Sequence, residues 1–249
     1  MDLLALRILS GKKDTCPTTN QGLEALRFGG ESTVESGVWR ESAQVYLEKM
    51  WFGQNEQDRR LVFTFSDGAV TCEMLRDLCS PAKYGVARTV PGHGPEKYRR
   101  FAEMLNRHRG AVVTRDNAAD IVEQGLSDMQ KVYGRGFLSA ITKALWMMKQ
   151  HPVVIYDSKA KRGLRQLRPA PEYKDYRSYF NAWFRFFDDP HTQKGLDDGL
   201  SWLPESPAAR ALIKGGKTDS EEIQRLAAST LFRNRVTDIR LFYAGGGVL

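Results

Sequence analysis

Along most of the chain, apolar residues recur three and four positions apart, the period of an amphipathic helix. Trp39 to Gln54 places Val45, Leu47, Met50 and Trp51 on one face. The same period predicts helices over 71–78, 96–107 and about 114–133, the last capped by Thr114 or Asp116 and ended by Gly134-Arg135-Gly136. Phe137 to Gln150 reads as a helix rich in Leu, Trp and Met, closed by His151-Pro152. Asp157-Ser158 can cap the helix that follows. Tyr173 to Phe187 carries aromatic residues at three- and four-residue spacings, a core-facing stripe in the plainest reading. Two or three further helices follow, at about 193–202, 218–232 and 234–243, and the Gly245-Gly246-Gly247 tail reads as loose. Alternating or continuous apolar runs are few. Leu61 to Phe65 before Ser66-Asp67-Gly68 reads as a short strand and turn, and Val153 to Tyr156 as a short extended run. The first 38 residues read as a short element and then loop, broken at Gly29-Gly30 and Gly37.

The expected fold class is therefore mainly α with a few short strands. The Pro91-Gly92-His93-Gly94-Pro95 break divides an N-terminal region, 1–92, from a core, 93–249, unless the two form one continuous domain. The length of 249 residues allows a sizeable core without covalent staples. No run approaches the ~18 apolar residues of a membrane helix, and the first residues lack the form of a signal peptide. Three cysteines, Cys16, Cys72 and Cys79, are an odd number in a long chain. They exclude a disulfide scaffold and suit a reducing cytoplasm. Cys72 and Cys79 sit on one predicted helix face and read as core thiols.

Charge changes the picture more than composition does. The net charge is +7, but Lys131 to Arg168 holds nine Lys and Arg against a single acid, Asp157. Such a window is either a solvated basic face or a phosphate-binding surface. Several common chemistries find no support. The four histidines are scattered and pair with no cysteine, so no zinc spacing appears. Three cysteines cannot supply a four-cysteine iron–sulfur loop, and there is no G-x-S-x-G elbow. Ala211 to Thr218 ends like a phosphate-binding loop but lacks its first glycine and a preceding strand, so a turn between helices is the better reading.

The most informative stretch runs from Ser139 to Ser158. The helix after Lys143 descends about seven residues, ~10 Å at 1.5 Å per residue. Five extended residues after the His151-Pro152 turn can climb back ~16 Å at most. Asp157 can therefore return to the level of Lys143, at a helix start where the dipole favours a carboxylate. A lysine among Ile141, Ala144, Leu145, Trp146 and Met147 is partly desolvated, which favours the neutral amine, a nucleophile for a sugar carbon. The plainer alternative is a snorkelling lysine and a carboxylate that only caps its helix.

At these residues the chain resembles the helix-hairpin-helix DNA glycosylase superfamily, in its 8-oxoguanine glycosylase-like bacterial branch. The resemblance covers about 130–168 and rests on Ser139-Ala140-Ile141-Thr142-Lys143-Ala144-Leu145-Trp146 followed by Pro152 to Ser158. It implies two helical subdomains flanking a DNA-binding cleft, with a modified base flipped out of double-stranded DNA. Carried over residue by residue, Lys143 would be the Schiff-base nucleophile and Asp157 the catalytic carboxylate. The expected activity is a DNA N-glycosylase, with AP lyase activity through that lysine as an open extension. The base would be 8-oxoguanine-like or hypermodified, such as a phage cytosine derivative, in repair or phage defence. Arg135, Lys159, Lys161, Arg162 and Arg165 would hold the DNA backbone, and Trp146, Tyr156 or Trp183 would sandwich the base. No metal, cofactor or nucleotide is expected, and the protein is expected to be a cytoplasmic monomer. The departures are the missing L-P-G-x-G hairpin, for which Gly134-Arg135-Gly136 or Ser139-Ala140-Ile141 would stand in, and a short lysine–aspartate spacing. Two alternatives remain beside it. One is a metal-dependent nuclease with a strand ending in Asp157-x-Lys159, and the other is a DNA-binding module without chemistry.

Overall fold

The computed structural model describes residues 31–53, 57–80, 90–91, 95–168 and 173–248. Among them the protein is mainly helical, and no strand occurs. The expected features within residues 1–30, including the Gly29-Gly30 break and Cys16, and those at 92–94 lie outside the described residues.

Helix α1 (Glu31–Val45) continues into a π-helical turn, Tyr46–Trp51. Gly37 lies inside α1 rather than breaking it. Trp39 explains the position of this helix. Its ring sits where Gly195 and Gly199 of α9 (Pro190–Trp202) leave room, since a methyl at Gly195 would lie 2.4 Å from the indole nitrogen. A half-stacked Phe186 covers it at 6.4 Å.

Leu61 to Phe65 is not a strand. It belongs to α2 (Gln57–Ser66), where Leu61, Val62 and Phe65 are buried and Phe63 faces solvent. The β-prone composition yields to packing: the helical face lies against α6 (Leu138–Lys149), and tertiary burial outweighs a weak local preference. Helix α3 (Cys72–Cys79) starts at Thr71, whose hydroxyl accepts from the Met74 amide, and it buries Leu75, Leu78 and Cys79. Cys72 is only partly buried but packs against the same core. A 3-10 turn, Pro95–Tyr98, leads into α4 (Arg99–Arg107).

Helix α5 (Ala118–Tyr133) begins after Asn117 rather than at Thr114 or Asp116. The Asn117 carboxamide accepts from the Thr114 amide and donates to the Val112 carbonyl, so it organises the approach to the helix. Gly134 ends α5 in the left-handed region at φ 73°, a conformation that costs glycine little. α6 follows after a short link and is buried nearly all round, from Ala140 to Met148. A helix with no wet face is a central core element, and both α2 and α5 pack on it.

Helices α7 (Ser158–Leu167) and α8 (Tyr176–Phe187) frame the other side. The extended run 153–156 between α6 and α7 pairs with tyrosines instead of a neighbouring strand. Tyr176 Oη donates to the Val154 carbonyl at 2.8 Å and accepts from its amide at 3.2 Å. Tyr179 Oη donates to the Ile155 carbonyl. The Val154 amide and carbonyl and the Ile155 carbonyl, groups a strand would use for a ladder, are satisfied by side chains of α8. The aromatic stripe of α8 is core: Tyr176, Tyr179, Phe180, Trp183, Phe184, Phe186 and Phe187 are all buried.

The chain closes with α10 (Pro207–Lys214), α11 (Ser220–Ala228) and α12 (Thr230–Ala244). The break between the last two falls at Ser229, which caps α12 through the Phe232 amide, and not at 233. The phosphate-loop look-alike is a turn between α10 and α11, with Gly216 at φ 66°. The glycine tail is not loose. α7 and α12 approach so closely that a methyl on Gly163 would lie 1.9 Å from the Leu241 carbonyl oxygen, and one on Gly245 equally close to that of Lys159. Lys159 Nζ donates to the Gly246 carbonyl. Buried residues on both sides of 91–95 belong to one continuous hydrophobic cluster running from Trp39 to Leu241.

Candidate active site

The structure brings Lys143 and Asp157 into one neighbourhood. The Tyr156 amide donates to the Thr142 hydroxyl at 3.0 Å, and that hydroxyl donates back to the Leu138 carbonyl at 2.9 Å. The chain after α6 thus returns level with the turn that carries Lys143. Asp157 is the N-cap of α7, and its Oδ1 accepts from the amides of Lys159 at 2.8 Å and Ala160 at 3.3 Å. These bonds fix the carboxylate at the positive end of the helix.

Lys143 is 7% exposed. Burial pushes its pKa below the ordinary lysine value, the Asp157 carboxylate pulls it back up, and the Arg235 guanidinium pushes it down again. Cys79 of α3 is near enough to act electrostatically on the amine. Burial raises that thiol to about 12, so it is a neutral neighbour.

Beside this pair lies a set of buried charges that the sequence pattern did not single out. Arg235 of α12 donates from Nε to Asp58 Oδ2 of α2 at 2.9 Å and from Nη1 to Asp238 Oδ2 at 3.1 Å. Its guanidinium carbon sits 5.0 Å from the Trp146 ring centre and 5.6 Å from that of Tyr46. Trp183 Nε1 donates to Asp238 Oδ1 at 2.9 Å. Burial raises Asp238 to about 6, against the opposing pull of Arg235 and the Trp183 hydrogen bond. Asp157 adds to that rise, so its field reaches into the same set. The available signal was the charged pair Arg235 and Asp238, three apart among Val236, Ile239 and Leu241.

The other expected site residues scatter. Trp146 and Trp183 are each 1% exposed and are not open to a base: Arg235 lies over the Trp146 ring, and Phe187 stacks on Trp183 at 5.0 Å. Tyr156 is half-buried and packs edge-on against Tyr179 at 5.2 Å. Of the three pocket candidates it alone reaches the surface. Among the basic residues, Lys161 donates to Tyr156 Oη at 3.2 Å and to the Tyr173 carbonyl at 3.1 Å, and Arg165 lies over the Tyr173 ring. Lys159 reaches the tail, as described. Arg162 and Arg135 are exposed, the latter with its guanidinium 5.3 Å from the Phe137 ring centre. A recess of about 230 Å³, lined by Arg135 and residues 136–140, opens at the start of α6, one helical turn before Lys143.

Among the described residues no group of His, Cys, Asp and Glu is arranged to hold a metal ion, and no helix is long and apolar enough to cross a membrane. The extended run before Asp157 is not part of a sheet, so the strand on which the nuclease alternative depended is not present there. In comparisons with known proteins, no family model, no curated protein and no solved structure matches this chain.

Proposed function

We propose that this protein is a DNA N-glycosylase that acts on a modified base flipped from duplex DNA, with Lys143 as nucleophile and Asp157 as the electrostatic partner. The reading rests on the resemblance across 130–168. The observation that carries it further is a buried amine near enough to a capping carboxylate to feel its charge, both within the most basic part of the chain. An exposed lysine at neutral pH is protonated and inert as a nucleophile. Burial raises the neutral fraction.

The proposed chemistry follows from charge. As the bond between C1′ and the base nitrogen breaks, its electron pair leaves with the base and positive charge builds on the sugar. The Asp157 carboxylate would stabilise that charge. The Lys143 amine then bonds to C1′ and loses a proton, and the departed base takes one from solvent. The nitrogen lone pair next expels O4′, which is protonated as the C1′–O4′ bond breaks, and the opened sugar becomes a protonated imine. Loss of a C2′ proton from that imine would expel the 3′ phosphate and give the lyase step. Arg162 and Arg135, both exposed, supply backbone contacts whose strength should fall with salt.

The test is borohydride trapping on duplexes carrying an abasic site, with a parallel panel of oxidised, deaminated and hypermodified bases assayed for free base. The wild-type protein should form a covalent adduct. Lys143→Ala should lower adduct yield by about a hundredfold or more. An undiminished adduct in that variant would remove Lys143 from the mechanism.

A further inference from the structure

We propose that Thr142 is a positioning residue for the Lys143–Asp157 pair: its hydroxyl ties the backbone before Asp157 to the turn of α6 that carries Lys143. The inference rests on the reading of that pair as the reacting groups and names the residue that sets their separation.

Side chains, not a neighbouring strand, hold the run 153–156. The Tyr176 and Tyr179 hydroxyls fasten Val154 and Ile155 to α8. Those bonds set the run against α8 and leave its distance from α6 open. Thr142 closes that side, because its Oγ1 accepts from the Tyr156 amide at 3.0 Å. Both ends of this bond adjoin the pair: Thr142 precedes Lys143, and Tyr156 precedes Asp157. Consecutive Cα atoms lie ~3.8 Å apart, so a change in the link reaches both groups with no flexible segment between. On its other side the Asp157 carboxylate is anchored by the Lys159 and Ala160 amides. It is thus held by its own helix and, one residue back, by the helix of the lysine.

The hydroxyl is itself fixed. Its proton is shared between the Leu138 carbonyl at 2.9 Å and the Ser139 carbonyl at 3.3 Å, which sets the rotamer and leaves lone pairs for the Tyr156 amide. Thr142 is fully buried, at a position where an apolar side chain would serve α6 as well. A threonine bonded back to its own helix slightly weakens that helix. Local stability of α6 therefore does not call for a hydroxyl here, whereas the link to Tyr156 does.

The experiment compares Thr142→Val, which keeps the shape and removes the acceptor, with Thr142→Ser, which keeps the acceptor. Lys143 is followed without DNA, by NMR titration of protein labelled with ¹³C,¹⁵N-lysine, its signal assigned by loss in Lys143→Ala. Asp157 favours the ammonium form, so its withdrawal in Thr142→Val should lower the Lys143 midpoint by about half a pH unit or more. Arg235 and Cys79, which also act on this amine, are untouched by the variants. Thr142→Ser should titrate as the wild type does. On saturating abasic duplex, the rate of borohydride trapping should fall about tenfold or more in Thr142→Val, with the Kd for the duplex unchanged, and Thr142→Ser should restore it. The amine of the valine variant is the more neutral one, so slower trapping marks lost geometry and not a loss of free amine. Tyr176→Phe is the structural control. It removes two bonds from the same run and should lower stability in urea while leaving the Lys143 midpoint in place. If Thr142→Val does not fold, as judged by circular dichroism, Thr142→Ala takes its place with the same expectations.

A wild-type midpoint in a folded valine or alanine variant overturns the inference. So does an equal shift in Thr142→Ser or in Tyr176→Phe, or undiminished trapping in the valine variant when the wild type forms the adduct. The expected midpoints with no adduct in the wild type leave the positioning role standing and sink the glycosylase reading.

Discussion

Helices α8 and α12 are both packed into the core, and they fill it with different chemistry. α8 buries seven aromatic side chains, and its Tyr176 and Tyr179 hydroxyls close locally on the 153–156 run. α12 buries Asn234, Arg235, Thr237 and Asp238 among its apolar residues. Aromatic burial lowers the free energy of folding and needs no further cause. Buried charge raises it unless every group is paired, and even then it is seldom the most stable choice. The helix that explains itself is therefore the less informative one. The helix that carries an unneeded cost lies beside Lys143 and Asp157, the pair on which the proposed activity rests.

The largest expected effect tests the plain half of the comparison. Phe180→Ala should cost about 3–5 kcal/mol in urea unfolding, because it leaves a void between Tyr176 and Phe184. A loss below 1 kcal/mol would mean that the stripe is not the close-packed core described here. Trp183→Phe is the intermediate case, since this residue belongs to α8 by packing and to the α12 cluster by its indole hydrogen bond. Removing the donor to the Asp238 carboxylate should cost about 1–3 kcal/mol.

Asp238 offers a pH test. Its pKa is raised from 3.8 to about 6 by burial. The folded protein thus holds this proton more tightly than the unfolded chain does. The associated stability is fully present below about pH 4 and is lost as pH rises through about 6. Asp238→Asn has no proton to lose, so the difference in stability between wild type and variant should change across that window and stay flat above it. A constant difference from pH 4 to 7 would show that Asp238 does not carry the raised pKa. The smallest effect is expected at the surface. Arg162→Ala should leave stability within about 0.5 kcal/mol, and should reduce the salt slope of DNA binding by about 1. An unchanged slope would take α7 out of the backbone contact.

Helix periodicity was legible wherever an apolar face stood against a polar one, as in α4, α5 and α8. Lys143 and Asp157 were legible as a pair because both ends of the connection are local: a helix of known rise, a turn, and a short climb back. Leu61 to Phe65 was not legible, since its composition suits a strand and only the face offered by α6 makes it helical. Nor was the ordered tail, whose contacts depend on glycines of α7 and α12 meeting backbone to backbone.

By itself, then, the chain determined most of the helical elements, the Asp157 cap of α7 and the return of Asp157 toward Lys143, because each of these follows from interactions between residues near in sequence. Only the tertiary structure decided that Asp58, Arg235 and Asp238 would meet, that Trp146 and Trp183 would be core, and that Lys161 and Arg165 would fold onto tyrosines. Those outcomes depend on which helices end up as neighbours, and burial, which sets the cost and the charge state of each group, exists only once they do.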